Sequence, residues 1–117
     1  MVPNWEPLEE KLGRSRCAGF MYMGRANGIN LYKHGIARMY LNLDDSGACY
    51  TYFGNGTYEP TDFAVERAKL EAALAELGET LESVYDDSYK ARKETALREA
   101  GISLLRIEVE PENRSVN

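Results

Sequence analysis

Histidine is almost missing from this chain of 117 residues, and cysteine and tryptophan are scarce: one His, two Cys and one Trp. A single histidine, His34, excludes a metal centre built on several imidazoles, and any triad or Cys-His dyad would have to be assembled around that one side chain. Cys17 and Cys49 stand far apart without the close spacing of zinc or redox motifs, so two buried free thiols are expected. No run of about 18 apolar residues is available to cross a membrane. The first ten residues are acidic and carry Pro3 and Pro7 where a secretory signal would be basic and then apolar. A cytoplasmic setting with reduced thiols follows as the expectation, with no membrane partner and no cofactor implied.

Acid is absent from one long stretch. Residues 13–43 contain five basic side chains, Arg14, Arg16, Arg25, Lys33 and Arg38, and no Asp or Glu, whereas from Glu59 onward fourteen acidic residues face eight basic ones. The net charge of −5 disfavours nucleic acid as a partner for the molecule as a whole, while the basic stretch keeps a small anionic ligand in view. Length and a 44% hydrophobic content fit one globular domain, expected over residues 1–110 with a polar tail at 111–117.

Residues 17–58 read as four short strands joined by turns. The strands cover 17–25, 29–33, 36–43 and 48–53, and the turns are Asn27-Gly28, His34-Gly35, Asp44 to Gly47, and Gly54-Asn55-Gly56. Sorting the strands by alternation gives two faces. One is aliphatic, with Met21, Met23, Ile29, Leu31, Met39, Leu41, Leu43, Cys49 and Phe53, and is expected to be the core. The other mixes rings with polar tips: Phe20, Tyr22, Tyr32, His34, Arg38, Tyr40, Asn42, Tyr50 and Tyr52. Tyrosine's strand propensity and cross-strand pairing account for part of this enrichment. Tyrosine is also enriched at interfaces, where it offers contact area with a polar handle. Tyr22, Arg25, Tyr32, His34, Arg38, Tyr40, Asn42, Tyr50 and Tyr52 are therefore the candidate binding residues, for a protein partner, a second copy in a homodimer, or a small anionic ligand. Single-stranded nucleic acid stacked on the rings is the alternative.

Helices flank the strands. Residues 4–12 form an opening helix with Asn4 as N-cap and Trp5 as its anchor on the sheet. Thr61 or Asp62 caps a long helix carrying Phe63, Leu70, Leu74, Leu77, Leu81 and Val84, either continuous through Gly78 or slightly kinked there. A further helix over 89–100 ends at Gly101, and a last strand over 102–110 follows. From Asp87 to Val109, a helix carrying Lys90, Lys93 and Leu97 that runs through Gly101-Ile102 into Leu104-Leu105-Arg106-Ile107 resembles the closing helix and strand of restriction-endonuclease-like folds over this stretch alone. The Asp/Glu-x-Lys element of such enzymes is not evident, since Leu31 stands two positions before Lys33. The acidic turn at Asp44-Asp45 lacks the later ligands of a calcium loop. The expected architecture is α+β: a two-layer domain with an antiparallel four-strand meander plus a C-terminal strand, and helices packed on one face. A binding domain is the expected function, with a small enzyme built on His34 ranking behind it.

Overall fold

The computed structural model describes residues 2–101. The chain divides into two compact units, one through Val84 and one from Tyr85 onward. The first opens with α1 (Glu6–Leu12) and a single turn of helix, α2 (Arg14–Cys17), and continues through β1 (Phe20–Ala26), β2 (Ile29–His34), β3 (Tyr40–Asp44), β4 (Cys49–Gly54) and β5 (Thr57–Thr61) to α3 (Phe63–Glu76). The second contains α4 (Asp87–Glu99). The strand expected over residues 102–110 lies outside the described residues.

The sheet is a five-strand antiparallel meander in the order β1-β2-β3-β4-β5, which makes the protein an α+β fold. Its turns follow from residues that tolerate positive φ. Asn27 and Gly28 sit at φ 52° and 77°, and Asn55 and Gly56 at 54° and 75°, the conformation that two-residue hairpins need to match strand twist. The second of these turns creates a strand the sequence reading missed. Glu59-Pro60-Thr61-Asp62 reads in sequence as the opening of the long helix. Here Pro60 pairs opposite Tyr50 on the outermost strand, where a residue without an N–H is tolerated.

The helices start and stop for local reasons. Asp62 caps α3 by accepting from the Ala64 N–H at 3.0 Å. At the other end the Glu79 N–H donates to the Leu74 carbonyl and the Gly78 N–H to the Ala75 carbonyl, with Gly78 at φ 75°. These paired bonds form a Schellman motif, so Gly78 ends the helix where continuation or a slight kink had been expected. Leu81 is buried beyond that stop, outside any helix. In the second unit, Asp86 accepts from the Tyr89 N–H at 2.9 Å and caps α4.

The core lies under the sheet between α1 and α3. Leu8 and Leu12 of α1, Leu70 and Leu74 of α3, and Leu41, Leu43 and Cys49 of the strands are all buried. Trp5, at the head of α1, sits 5.5 Å from the Tyr32 ring and 6.0 Å from that of Tyr22, which anchors the opening helix as expected. Both cysteines are free and buried, and burial pushes the Cys49 thiol up to about 11.

The expected division of faces is wrong in one respect. His34 pairs with Met39 across a loop of four residues, its N–H donating to the Met39 carbonyl at 2.8 Å, so residues 36–39 belong to a turn and β3 begins at Tyr40. That closure sets Tyr32 opposite Leu41 and Lys33 opposite Tyr40. Even-numbered residues of β2 therefore share a face with odd-numbered residues of β3. Phe20, Tyr22, Tyr32 and His34 join Leu41, Leu43 and Cys49 on the helix-covered face. Met21, which had been assigned to the core, is 40% exposed on the outer face, and Met23 is also exposed.

Candidate functional site

The nine candidate residues separate into an inner and an outer group. On the inner side, Tyr32 and His34 are fully buried. The Tyr32 hydroxyl donates to the Asn4 carbonyl, and burial holds its phenol above the usual range. His34 Nδ1 accepts from the N–H groups of Ile36 (3.1 Å) and Ala37 (3.3 Å), which fixes the proton of the neutral ring on Nε2. The ring stands edge-on to Phe20 at 5.0 Å. Burial lowers its pKa, and Nε2 has no hydrogen-bond partner among the described residues. An imidazole enclosed in this way has no exposed nitrogen to offer a substrate.

Arg25 and Tyr22 are likewise committed to the fold. Arg25 makes a bidentate pair with Asp45, each bond 2.8 Å, and also donates to Asn30 Oδ1 at 2.9 Å. Tyr22 donates to the same oxygen at 2.7 Å, while the Asn30 amide donates to the Leu43 carbonyl and to Asp45, 3.0 Å in both cases. Asn4 adds a fourth contact to Asp45. The guanidinium holds the Asp45 carboxyl well below the usual carboxylate range, and the carboxylate in turn raises the arginine. This network ties together the head of α1, the hairpin of β1 and β2, and the turn after β3. Asn30 is its fully buried centre, and sequence reading did not single it out. Arg38 stands exposed in the β2–β3 turn with φ 62°.

Tyr40, Asn42, Tyr50 and Tyr52 do share a face, the outer one. Tyr50 donates to Asp44 at 3.0 Å, which raises the phenol, and the Ser46 hydroxyl, at 2.6 Å, is the main donor that lowers the carboxyl. The other three border an opening in the sheet. β3 and β4 pair at only two positions, Asn42 with Tyr50 and Leu43 with Cys49. Beyond these, Tyr40 and Leu41 pair only with β2, while Thr51 and Tyr52 pair only with β5. Two-stranded ribbons twist more strongly than strands inside a wide sheet, so hairpins joined over two residue pairs splay apart.

The gap is a cleft of about 400 Å³. Leu31, Met39, Tyr40 and Asn42 form one wall, Thr51, Tyr52 and Tyr58 the other, and Glu66 reaches it from the first turn of α3. Glu66 accepts from the hydroxyl of Thr61 at 3.3 Å, and Thr61 pairs opposite the buried Cys49, which places the carboxylate close to the inner face. The cleft thus runs between the strands toward the helix beneath.

Two features of the lining bear on chemistry. Tyr52 and Tyr58 pair across β4 and β5 with ring centroids 4.9 Å apart, and the Tyr52 hydroxyl is fixed by accepting from the Gly56 N–H at 3.1 Å. Asn42 is only 4% exposed; its amide nitrogen donates to the Tyr50 carbonyl at 3.2 Å, and its Oδ1 is left without a hydrogen-bond partner among the described residues. A buried acceptor of this kind is costly unless something donates to it. Tyr58 and Glu66 escaped sequence reading because they lie on a strand and a helix turn that only the folded chain brings to β3.

Among the described residues no group of three or more His, Cys, Asp or Glu is arranged to hold a metal ion. No helix there is long and apolar enough to cross a membrane. Fold and cleft together define an α+β domain with a ligand-sized opening between two hairpins of its sheet. Compared with protein-family models, curated proteins and solved structures, the chain finds no match.

Proposed function

We propose that this protein is a binding domain that takes a small molecule into the cleft between β3 and β4. The observation that carries the reading is the loss of pairing beyond Asn42 and Tyr50, which leaves a tyrosine-walled opening of about 400 Å³ with the Glu66 carboxylate in its lining. That volume lies in the usual range for small-ligand sites, as does the combination of apolar walls with a few fixed polar groups. A binding role without catalysis is favoured because His34 is enclosed on the opposite face. Stacked nucleic acid and small anions are disfavoured: Arg25 is held by Asp45, and among the described residues the one charged side chain lining the cleft is the acidic Glu66.

Ligand-observed magnetic resonance on a fragment library, run on the wild type and on Thr51→Phe, tests the proposal. The added ring fills the cleft from β4. Fragments retained by the wild type and released by a folded Thr51→Phe variant are the expected result; an unchanged set of retained fragments would overturn it.

A second reading, self-association through the same outer face, is favoured by the exposure of Met21 (40%), Tyr40 (41%) and Tyr52 (52%). Light scattering separates the two. A homodimer that becomes a folded monomer in Tyr40→Glu supports the interface, and a monomer of 13.2 kDa in both forms rejects it.

A further inference from the structure

We infer that the ligand of the β3–β4 cleft is a small organic cation, an ammonium or amidinium group on a flat apolar body; this rests on the cleft being the binding site. The lining sets the preference through its imbalance of acceptors. Glu66 supplies a carboxylate that is 13% exposed and accepts from the Thr61 hydroxyl at 3.3 Å, while Asn42 Oδ1, enclosed in the fold, adds an acceptor dipole behind the lining. Among the described residues that line the cleft, none is basic. A ligand carrying N–H groups can donate to Glu66, whereas an anion would meet it with like charge.

The aromatic walls favour the same class. Tyr52 and Tyr58 form a tilted pair on one side and Tyr40 stands on the other. Ring faces attract cations, and the fold already uses one of these rings in that way: Lys33 Nζ lies 5.7 Å from the centroid of Tyr40. That lysine and Lys69, whose Nζ is 3.3 Å from Glu66, are the neighbouring positive charges that oppose a cationic ligand. Lys69 is 59% exposed and reaches Glu66 from the helix surface as an i,i+3 pair whose solvated lysine end can swing away for a better-placed donor. Lys33 projects from β2, which β3 separates from the gap, and its ammonium is held against the Tyr40 ring. Leu31 and Met39 complete an apolar wall for the body of the ligand.

Three probes of matched shape test the inference: 2-phenylethylammonium, 2-phenylethanol and 3-phenylpropionate, titrated into the isotope-labelled full chain and followed through backbone amide shifts. The expected result is that the ammonium binds at the cleft at least about tenfold more tightly than the other two, and that Glu66→Gln removes most of this preference while the alcohol's affinity stays the same. Equal affinities, or a preference for the carboxylate, would overturn the cation inference and leave the cleft as the binding site. A preference for the ammonium that persists in Glu66→Gln would also overturn it, because the named carboxylate would then not be the selector. Failure of all three probes to shift residues of the cleft would overturn both this inference and the reading it rests on.

Discussion

At the scale of single residues, tyrosine and histidine illustrate how an amphipathic side chain misleads a reading by alternation. Tyr22 and Tyr32 were legible as strand residues, yet their face was not, because a phenol packs in a core whenever its hydroxyl finds a partner; here Asn30 and the Asn4 carbonyl provide them. His34 is buried by the same logic, with two backbone N–H groups satisfying Nδ1. Its pKa is lowered by burial, so between its folded value and the ordinary 6.5 the unfolded chain binds a proton that the native state refuses. Stability is therefore full above pH 6.5, falls as the pH drops through that window, and levels off below the folded value. Urea unfolding of the wild type and of His34→Leu between pH 7.5 and 5 should show this loss in the wild type and its absence in the variant's difference curve. Asn30 gives a second prediction. Replacing it with alanine removes a buried amide that serves Tyr22, Arg25, Asp45 and the Leu43 carbonyl, and should cost about 1–3 kcal/mol by chemical denaturation. Fragment affinity at the cleft should not change, since the network lies on the other face.

At the scale of elements, the chain's punctuation was readable and its register was not. Asn27-Gly28 announced a hairpin and Gly54-Asn55-Gly56 a turn because left-handed φ is required there, and Asp62 announced a helix start. The parity of the β2–β3 pairing depended on the closure of His34 with Met39, a hydrogen bond between residues five apart that no composition rule predicts. One loop of four residues moved Phe20, Tyr22, Tyr32 and His34 from the outer face to the core. β5 was hidden by Pro60, which is compatible with an edge strand as well as with a helix start. The termini of α3 lend themselves to measurement. Asp62→Ala should lower stability by about 1 kcal/mol through the lost cap, and Gly78→Ala by about 1–2 kcal/mol through strain at φ 75°. Thermal melts followed by circular dichroism would record both, and an unchanged midpoint for Gly78→Ala would show that the helix continues through it.

At the scale of the molecule, three of the eight residues lining the candidate site were visible in advance. Tyr40, Asn42 and Tyr52 were recognisable as a patterned face, since they alternate with Leu41, Leu43 and Cys49 on strands whose inner face is aliphatic. The cleft itself was not, because it arises from two hairpins that share only two residue pairs, and from Tyr58 and Glu66 arriving from elements distant in sequence. The account stands on that gap being an open binding site in solution. Its most direct test is the amide spectrum of the labelled full chain in the presence of the most strongly retained fragment. The largest changes should fall on both rims, at Leu31, Tyr40, Asn42, Thr51 and Tyr52. Changes confined to α1, to the Arg25–Asp45 network or to residues beyond Val84 would contradict it.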